Sequence, residues 1–324
     1  VTVKNNMIWG ITGDGWNYTS IPTDNPIGIS MTSTQTGVNV YYNSINLYGN
    51  TLDQTSAMSM GMFLGTGSTA DIRDNSIVNN NGLLAATGYG SSGIYAQTSN
   101  AQFTLINYND YYVNPTGSGA KYLGQIAATG QSTLATWQAA TGQDANSISG
   151  DPLYVSNTDL HIGSASSPLI NAGTPIAGIT TDIDNKTRST TTPTIGADEY
   201  TSTLYLTLNF QSCPNPSPIT VELRSSTSPY NLVQSVSGTG GGAVTIPVYF
   251  SNAVNGVGYY LVVKSVNMIE TWSALPNITF AGNSASYSFT TALSQAYQSN
   301  QILSGGIPSI YQGDANQDGF VNTA

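Results

Sequence analysis

A Gly-apolar step followed by an Asn-centred strand recurs three times at a period of about 32 residues, and this repeat constrains the fold more than any other feature of the chain. It reads Gly28-Ile29 to Asn43-Ser44-Ile45, Gly61-Met62 to Asn75-Ser76-Ile77, and Gly93-Ile94 to Asn107-Tyr108-Asn109. Repetition at a fixed period marks a solenoid, because each unit has an apolar face that only a stacked neighbour can cover. The repeated runs, such as Val38-Asn39-Val40-Tyr41-Tyr42, Asp71-Ile72-Arg73 and Gln102-Phe103-Thr104-Leu105-Ile106, are rich in β-branched and aromatic residues, with Gly, Ser, Thr and Asn between them. A parallel β-helix is therefore expected. In it Asn43, Asn75 and Asn107 would serve as corner residues, since Asn tolerates left-handed backbone and its amide can form a ladder down the stack.

Lys4-Asn5-Asn6-Met7-Ile8 looks like a further copy of the Asn-centred strand without the Gly-apolar half before it. The expectation is a processed chain or a segment of a longer one, with the first coil capped by upstream residues or by a partner.

Composition excludes some classes. Seven Lys plus Arg against seventeen Asp plus Glu, a net charge of −10, is wrong for gripping phosphate backbones, so no nucleic-acid partner is expected. No apolar run approaches the ~20 residues of a membrane-spanning helix, so no transmembrane segment is expected. Low charge with abundant Ser, Thr, Asn and Tyr resembles bacterial secreted and cell-surface proteins.

Beyond the repeats, Ser132 to Gly142 has a Ser/Thr start, apolar Leu134 and Trp137 and a terminal Gly, which predicts a short helix. Five motifs follow in order: that helix, Asp151-Pro152-Leu153-Tyr154, Ser167-Pro168-Leu169-Ile170-Asn171-Ala172-Gly173, Asp182-Ile183-Asp184, and Ile195-Gly196-Ala197-Asp198-Glu199-Tyr200. The set resembles the C-terminal end of bacterial secreted right-handed parallel β-helix proteins, and the resemblance covers roughly residues 1–200.

From residue 204 to 310, six runs of strand-forming residues are separated by Gly, Pro, Ser and Asn clusters, which predicts a β-sandwich. In the longest, Val257, Tyr259, Leu261 and Val263 share one face, and Tyr260, Val262 and Lys264 the other. Val221 to Arg224, Gly256 to Lys264 and Ile269 to Ser273 together resemble a prealbumin-like surface module, which implies a spacer. Residues 311–324 resemble a truncated dockerin loop. Asp314, Asn316, Asp318 and Asn322, with the carbonyl of Phe320 and the turn at Gly319, match an EF-hand-type calcium loop, but no twelfth-position carboxylate follows, so only weak calcium binding is expected. The fold class is thus all-β, a right-handed parallel β-helix followed by a small β-sandwich.

Parallel β-helices also host lyases and glycoside hydrolases, which need clustered carboxylates with a base, or two carboxylates on one face. Asp71, Arg73 and Asp74, with Asp53 and Asp110 on neighbouring coils, are the residues to weigh, beside the simpler reading of a solvated strand with an ion pair. No catalytic residue is assigned. His161 is expected to be packed or hydrogen-bonded, and Asp182, Asp184, Asp198 and Glu199 to cap turns, with a cation site as the alternative. Tyr41, Tyr42, Tyr95 and Tyr108, where they point outward, would form an aromatic strip suited to sugars or protein partners. The expected function is a structural or adhesive scaffold of the bacterial surface, able to self-associate or to bind other cell-surface proteins. A polysaccharide-active enzyme and a glycan-binding module are the alternatives.

Overall fold

The computed structural model describes residues 1–13, 25–49, 51–52, 57–83, 90–127, 129–211, 217–254, 256–281 and 283–314. The chain forms two compact units, Val1–Tyr200 and Thr201–Ala324.

The first unit is a parallel β-solenoid. One sheet stacks Thr2–Lys4, Val38–Tyr41, Ala70–Arg73 and Phe103–Asn107, and a second stacks Met7–Trp9, Ser44–Leu47, Ser76–Asn79 and Asp110–Val113. The third runs Ile27–Met31, Ser59–Leu64, Gly90–Ala96 and Ala120–Ile126, and ends in the antiparallel strand Thr129–Gln131. Equivalent side chains stack coil upon coil: Val40 on Ile72 on Ile106, Ile45 on Ile77 on Tyr111, and Ile29 on Met62 on Ile94. Most of these side chains are fully buried in one core. Burial of each large aliphatic there contributes about 1.5–3 kcal/mol. The repeated glycine follows from that packing. A Cβ on Gly61 would lie 2.2 Å from Ile77 Cγ2 and 2.5 Å from the Gly93 carbonyl oxygen.

The corner between the first two sheets is built from a pair of residues in every coil. Asn5, Tyr42, Asp74 and Tyr108 adopt left-handed backbone, with φ of 54°, 51°, 59° and 57°. The Asn that follows each of the first three lies on a continuous ladder: Asn6 Nδ2 donates to Asn43 Oδ1 (2.8 Å), Asn43 Nδ2 to Asn75 Oδ1 (2.9 Å), and Asn75 Nδ2 to Asn109 Oδ1 (3.0 Å). Each receiving carbonyl also accepts the backbone N–H of the Asn below it. Two details therefore differ from the sequence expectation. The left-handed residue precedes the ladder Asn, because that Asn is held by its side chain. The rung after Asn75 is Asn109 and not Asn107, because the later coil is two residues longer and Ile106 takes the place beside Ile72.

The predicted helix spans Leu134–Thr141, with Thr133 and Thr136 in a reciprocal capping box and Gly142 at φ 67°. It closes the end of the core. Trp137 is fully buried, edge-on to Phe103 and Tyr111 at 5.7 and 6.0 Å. The last ladder Asn ends on this closure, with Asn109 N–H donating to Ser147 Oγ at 2.7 Å. Among the described residues no helix is long and apolar enough to cross a membrane.

In the second unit, Ser202–Leu208 lies between Val244–Phe250 and Ser284–Ser288 in a three-stranded sheet. Ser217–Ser225, Leu232–Gly240, Gly258–Lys264, Thr271–Trp272 and Ile278–Thr279 make a five-stranded sheet. Leu204, Leu206 and Phe250 of the first meet Val221, Leu223, Tyr259, Leu261 and Val263 of the second in a single buried core, the packing of a sandwich. Tyr259, Leu261 and Val263 share the inner face as their alternation predicts, whereas Val257 lies outside the strand and is exposed.

Asn75 takes part in six hydrogen bonds of the ladder corner, and replacing it by Ala removes the five that use its side chain and leaves buried main-chain groups without partners. Only the backbone bond to Asn109 Oδ1 among these survives truncation, so we expect a loss of about 2–5 kcal/mol. Asn107→Ala loses only two bonds, from the Tyr108 and Asn146 N–H groups at a half-buried position, and should cost less, about 1 kcal/mol. Thermal unfolding of the two variants separates them, and equal losses would refute the ladder assignment.

Candidate functional site

Among the described residues, the carboxylates weighed for chemistry are held by partners within the first unit. On the first sheet Arg73 forks Asp71, Nε to Oδ1 and the terminal nitrogen to Oδ2 at 2.8 Å each, and Tyr41 donates its hydroxyl to Asp71 Oδ2 at 2.7 Å. The guanidinium also sits 5.1 Å over the Tyr41 ring. Burial and the neighbouring Asp71 raise the Tyr41 hydroxyl, which keeps it protonated. Three of the about four acceptor positions of the Asp71 carboxylate are thus occupied. A groove of about 420 Å³ runs past this cluster, lined by Lys4, Asn39, Tyr41, Arg73 and Ile176 to Ile179.

Asp74 stands at the left-handed corner, fully buried, accepting the Thr174 N–H on Oδ1 at 2.7 Å while Oδ2 has no partner. Burial pushes its carboxyl up to about 8, against the opposing pull of the Thr174 hydrogen bond and of Arg73 and Arg188. Asp110, also fully buried, accepts from Gly150 N–H and Ser76 Oγ, and burial lifts it to about 8 as well. Asp53 lies outside the described residues. Asp71, Asp74 and Asp110 therefore do not converge on one open face.

The segment that follows the helix returns along the solenoid and locks onto the corner. Tyr42 donates its hydroxyl to the Thr174 carbonyl (2.6 Å), Ala197 N–H to Ser44 Oγ (2.9 Å), and Arg188 to Asn5 Oδ1 (3.1 Å) and to the Gly196 and Ala197 carbonyls. Arg188 also lies 4.0 Å over the Tyr42 ring and 3.3 Å from Glu199. Glu199 is buried and raised for that reason, although the Ser189 and Thr194 N–H groups donate to it. Asp182 accepts the N–H groups of Asp184, Lys186 and Glu199, and Asp198 that of Ile162. These are the turn-capping roles expected of them.

His161, Asp184 and Asp198 approach closely enough to hold a metal ion. Lys186, however, places its ammonium 2.9 Å from Asp198 and 3.3 Å from Asp184, so a cation of the chain already stands between them. His161 bonds Asp159 through Nδ1 and Asp184 through Nε2 at 2.9 Å. Burial pulls the imidazole down, but these carboxylates and Asp198 outweigh it and raise it overall.

The tyrosines are not an outward strip. Tyr41, Tyr42 and Tyr95 are 7%, 0% and 5% exposed, the last packed edge-on to Phe63 at 5.8 Å, and Tyr108 is half-buried at its corner. They are buried because the return segment covers the first two, and Met58, Met60 and Phe63 cluster around Tyr95. Of the expected calcium ligands, Asp314 is buried at the end of strand Gln312–Asp314, which pairs with Asn267–Met268, while Asn316, Asp318, Phe320 and Asn322 lie outside the described residues.

A second open groove of the solenoid is one that sequence reading missed. A polar groove of about 520 Å³ is lined by Asn46, Asn80, Tyr112, Asp151, Tyr154 and Asn157, among others. Asn46 donates to Asn157 and keeps its own buried Oδ1 without a partner. Nothing in the sequence links these residues, which meet only because the return segment lies against the second sheet. No known family, curated protein or solved structure matches the chain.

Unfolded aspartate ionises near pH 4, about four units below buried Asp74 and Asp110. Their folded pKa is raised, so the stability they contribute is complete below about pH 4 and is lost as pH rises through about 8. Thermal midpoints measured from about pH 5 to about pH 9 should fall, by roughly 2–4 °C per kcal/mol in a unit of this size. An Asp74→Asn, Asp110→Asn variant should flatten that decline, and an undiminished decline would contradict the assignment.

Proposed function

We propose that this chain is an extracellular structural or adhesive scaffold of the bacterial cell surface, with the solenoid as its rigid body. The observation that carries the reading is the use of the solenoid's charged groups. Asp71, Asp74, Asp110, Asp182 and Asp198 each accept hydrogen bonds that tie separate segments of the first unit together. A polysaccharide-cleaving site would need two such groups free on one face. The low-charge composition and the ordered motifs of residues 134–200, with their resemblance to secreted right-handed parallel β-helix proteins, support the same reading. The second unit then acts as a prealbumin-like module, and the dockerin-like segment from Asp314 onward binds calcium weakly.

A second reading, glycan binding or cleavage on the solenoid, is favoured by the polar groove around Asn46, Asn80, Tyr112 and Asp151. Electron microscopy of the purified protein at low and at millimolar calcium, run beside assays of reducing-end release from a panel of plant and bacterial polysaccharides, separates the two. Ordered filaments or end-to-end particles without cleavage are the expected result. Dispersed monomers that release reducing ends would overturn the scaffold.

A further inference from the structure

The outer face of the five-stranded sheet in the second unit carries four aromatic rings that its core does not use. Tyr260 and Trp272 come from the adjacent strands Gly258–Lys264 and Thr271–Trp272, Tyr230 from the loop after Ser217–Ser225, and Tyr297 from a turn near the end of the chain. Tyr230, Tyr260 and Trp272 stand edge to face, with centroids 5.5, 5.8 and 6.3 Å apart. Together with Tyr297 they line a groove of about 280 Å³. Tyr230 and Tyr297 are 40% and 53% exposed. From this apolar half the surface passes into a second hollow of about 310 Å³, which shares Trp272 and Tyr297 and adds Glu270, Gln298, Ser299 and Asn300.

Three further observations mark a built site. Trp272 is fixed: its Nε1 donates to Glu270 Oε1 at 2.5 Å, and the Arg224 guanidinium sits 5.4 Å over its ring. The charges are closed among themselves, with Arg224 and Lys264 on Glu222 at 2.6 and 2.9 Å and Lys264 on Glu270 at 3.2 Å. Finally, Tyr230, Gln298 and Ser299 hold left-handed backbone, with φ of 56°, 53° and 55°. Non-glycine residues in that region cost of order 1–3 kcal/mol each and cluster where geometry serves binding.

We infer that this groove binds a neutral oligosaccharide. A pyranose presents one apolar C–H face and a belt of hydroxyls, which matches rings on one side and amide, hydroxyl and carboxylate groups on the other. A charged ligand finds no uncompensated partner, and Arg224 already fills the cation position over Trp272. A proline-rich peptide would use the rings but leave the polar half empty. The inference stands independently of the role of the solenoid.

The test is calorimetric titration of the whole protein with cellohexaose, xylohexaose, mannohexaose and a decaproline peptide. Saturable binding of at least one sugar is expected. Tyr297→Ala, at a position more than half exposed and therefore safe for folding, should weaken it on the order of 10-fold, and Trp272→Ala should abolish it. Circular dichroism checks that both variants retain the sandwich. Absence of saturable heat with all three sugars, sugar binding unchanged in Tyr297→Ala, or saturation by decaproline alone would each overturn the inference.

Discussion

The stacking of side-chain amides at one corner is the interaction on which the solenoid depends. A parallel stack of coils pairs its strands well but must turn sharply between sheets, and a turn leaves main-chain groups unpaired in the interior. Here the left-handed residue makes the turn and the following Asn satisfies it. Its carbonyl takes both donors of the Asn below, while its amide reaches the carbonyls of residues such as Val40 and Arg73. Each rung therefore closes the polar account of its own coil and fixes the register of the next. The apolar columns confine the register to positions that keep their face buried, and the ladder adds a directional choice among them.

The left-handed column has a second consequence. Tyr42 is not a corner residue by propensity, although Asp74 is, and the side chains of both point into space that must be covered. The return segment supplies the cover through Thr174, Arg188 and Gly196, so the strained corner and the irregular chain outside it stabilise one another. This explains why a chain so poor in charge buries Asp74, Asp110 and Glu199. In a well-packed interior a neutral or paired carboxyl with fixed acceptor geometry organises loops that have no ladder of their own.

Much of this architecture was legible in the sequence. Glycine at the crowded step, isoleucine in the columns and asparagine at the corner recur because each coil poses the same local problem, and repetition makes the pattern visible. The helix was legible for the same local reason, through Thr133, Trp137 and Gly142. Two kinds of information were not. The rung at Asn109 was misassigned to Asn107 because a two-residue lengthening of one coil preserves the Asn spelling while moving its register. The grooves were invisible because Asn46 meets Asn157, and Tyr230 meets Trp272, through folding that no local pattern records. The outward direction of the tyrosines failed likewise, since a strand fixes only alternation, and what covers each face is decided by residues far along the chain.

The two units solve the polar problem in opposite ways. In the solenoid the ladder amides and the carboxylates of Asp74, Asp110 and Glu199 are turned inward, onto a neighbouring coil or the return segment. In the second unit the apolar groups between the sheets already make a complete core, so nothing in its folding requires Tyr230, Tyr260, Trp272 and Tyr297 to gather outside it. A cluster of rings held by Glu270 and Arg224, beside strained backbone, lowers stability and raises exposed apolar area together. Such an arrangement gains a physical reason if a ligand covers the rings, as the inferred oligosaccharide would.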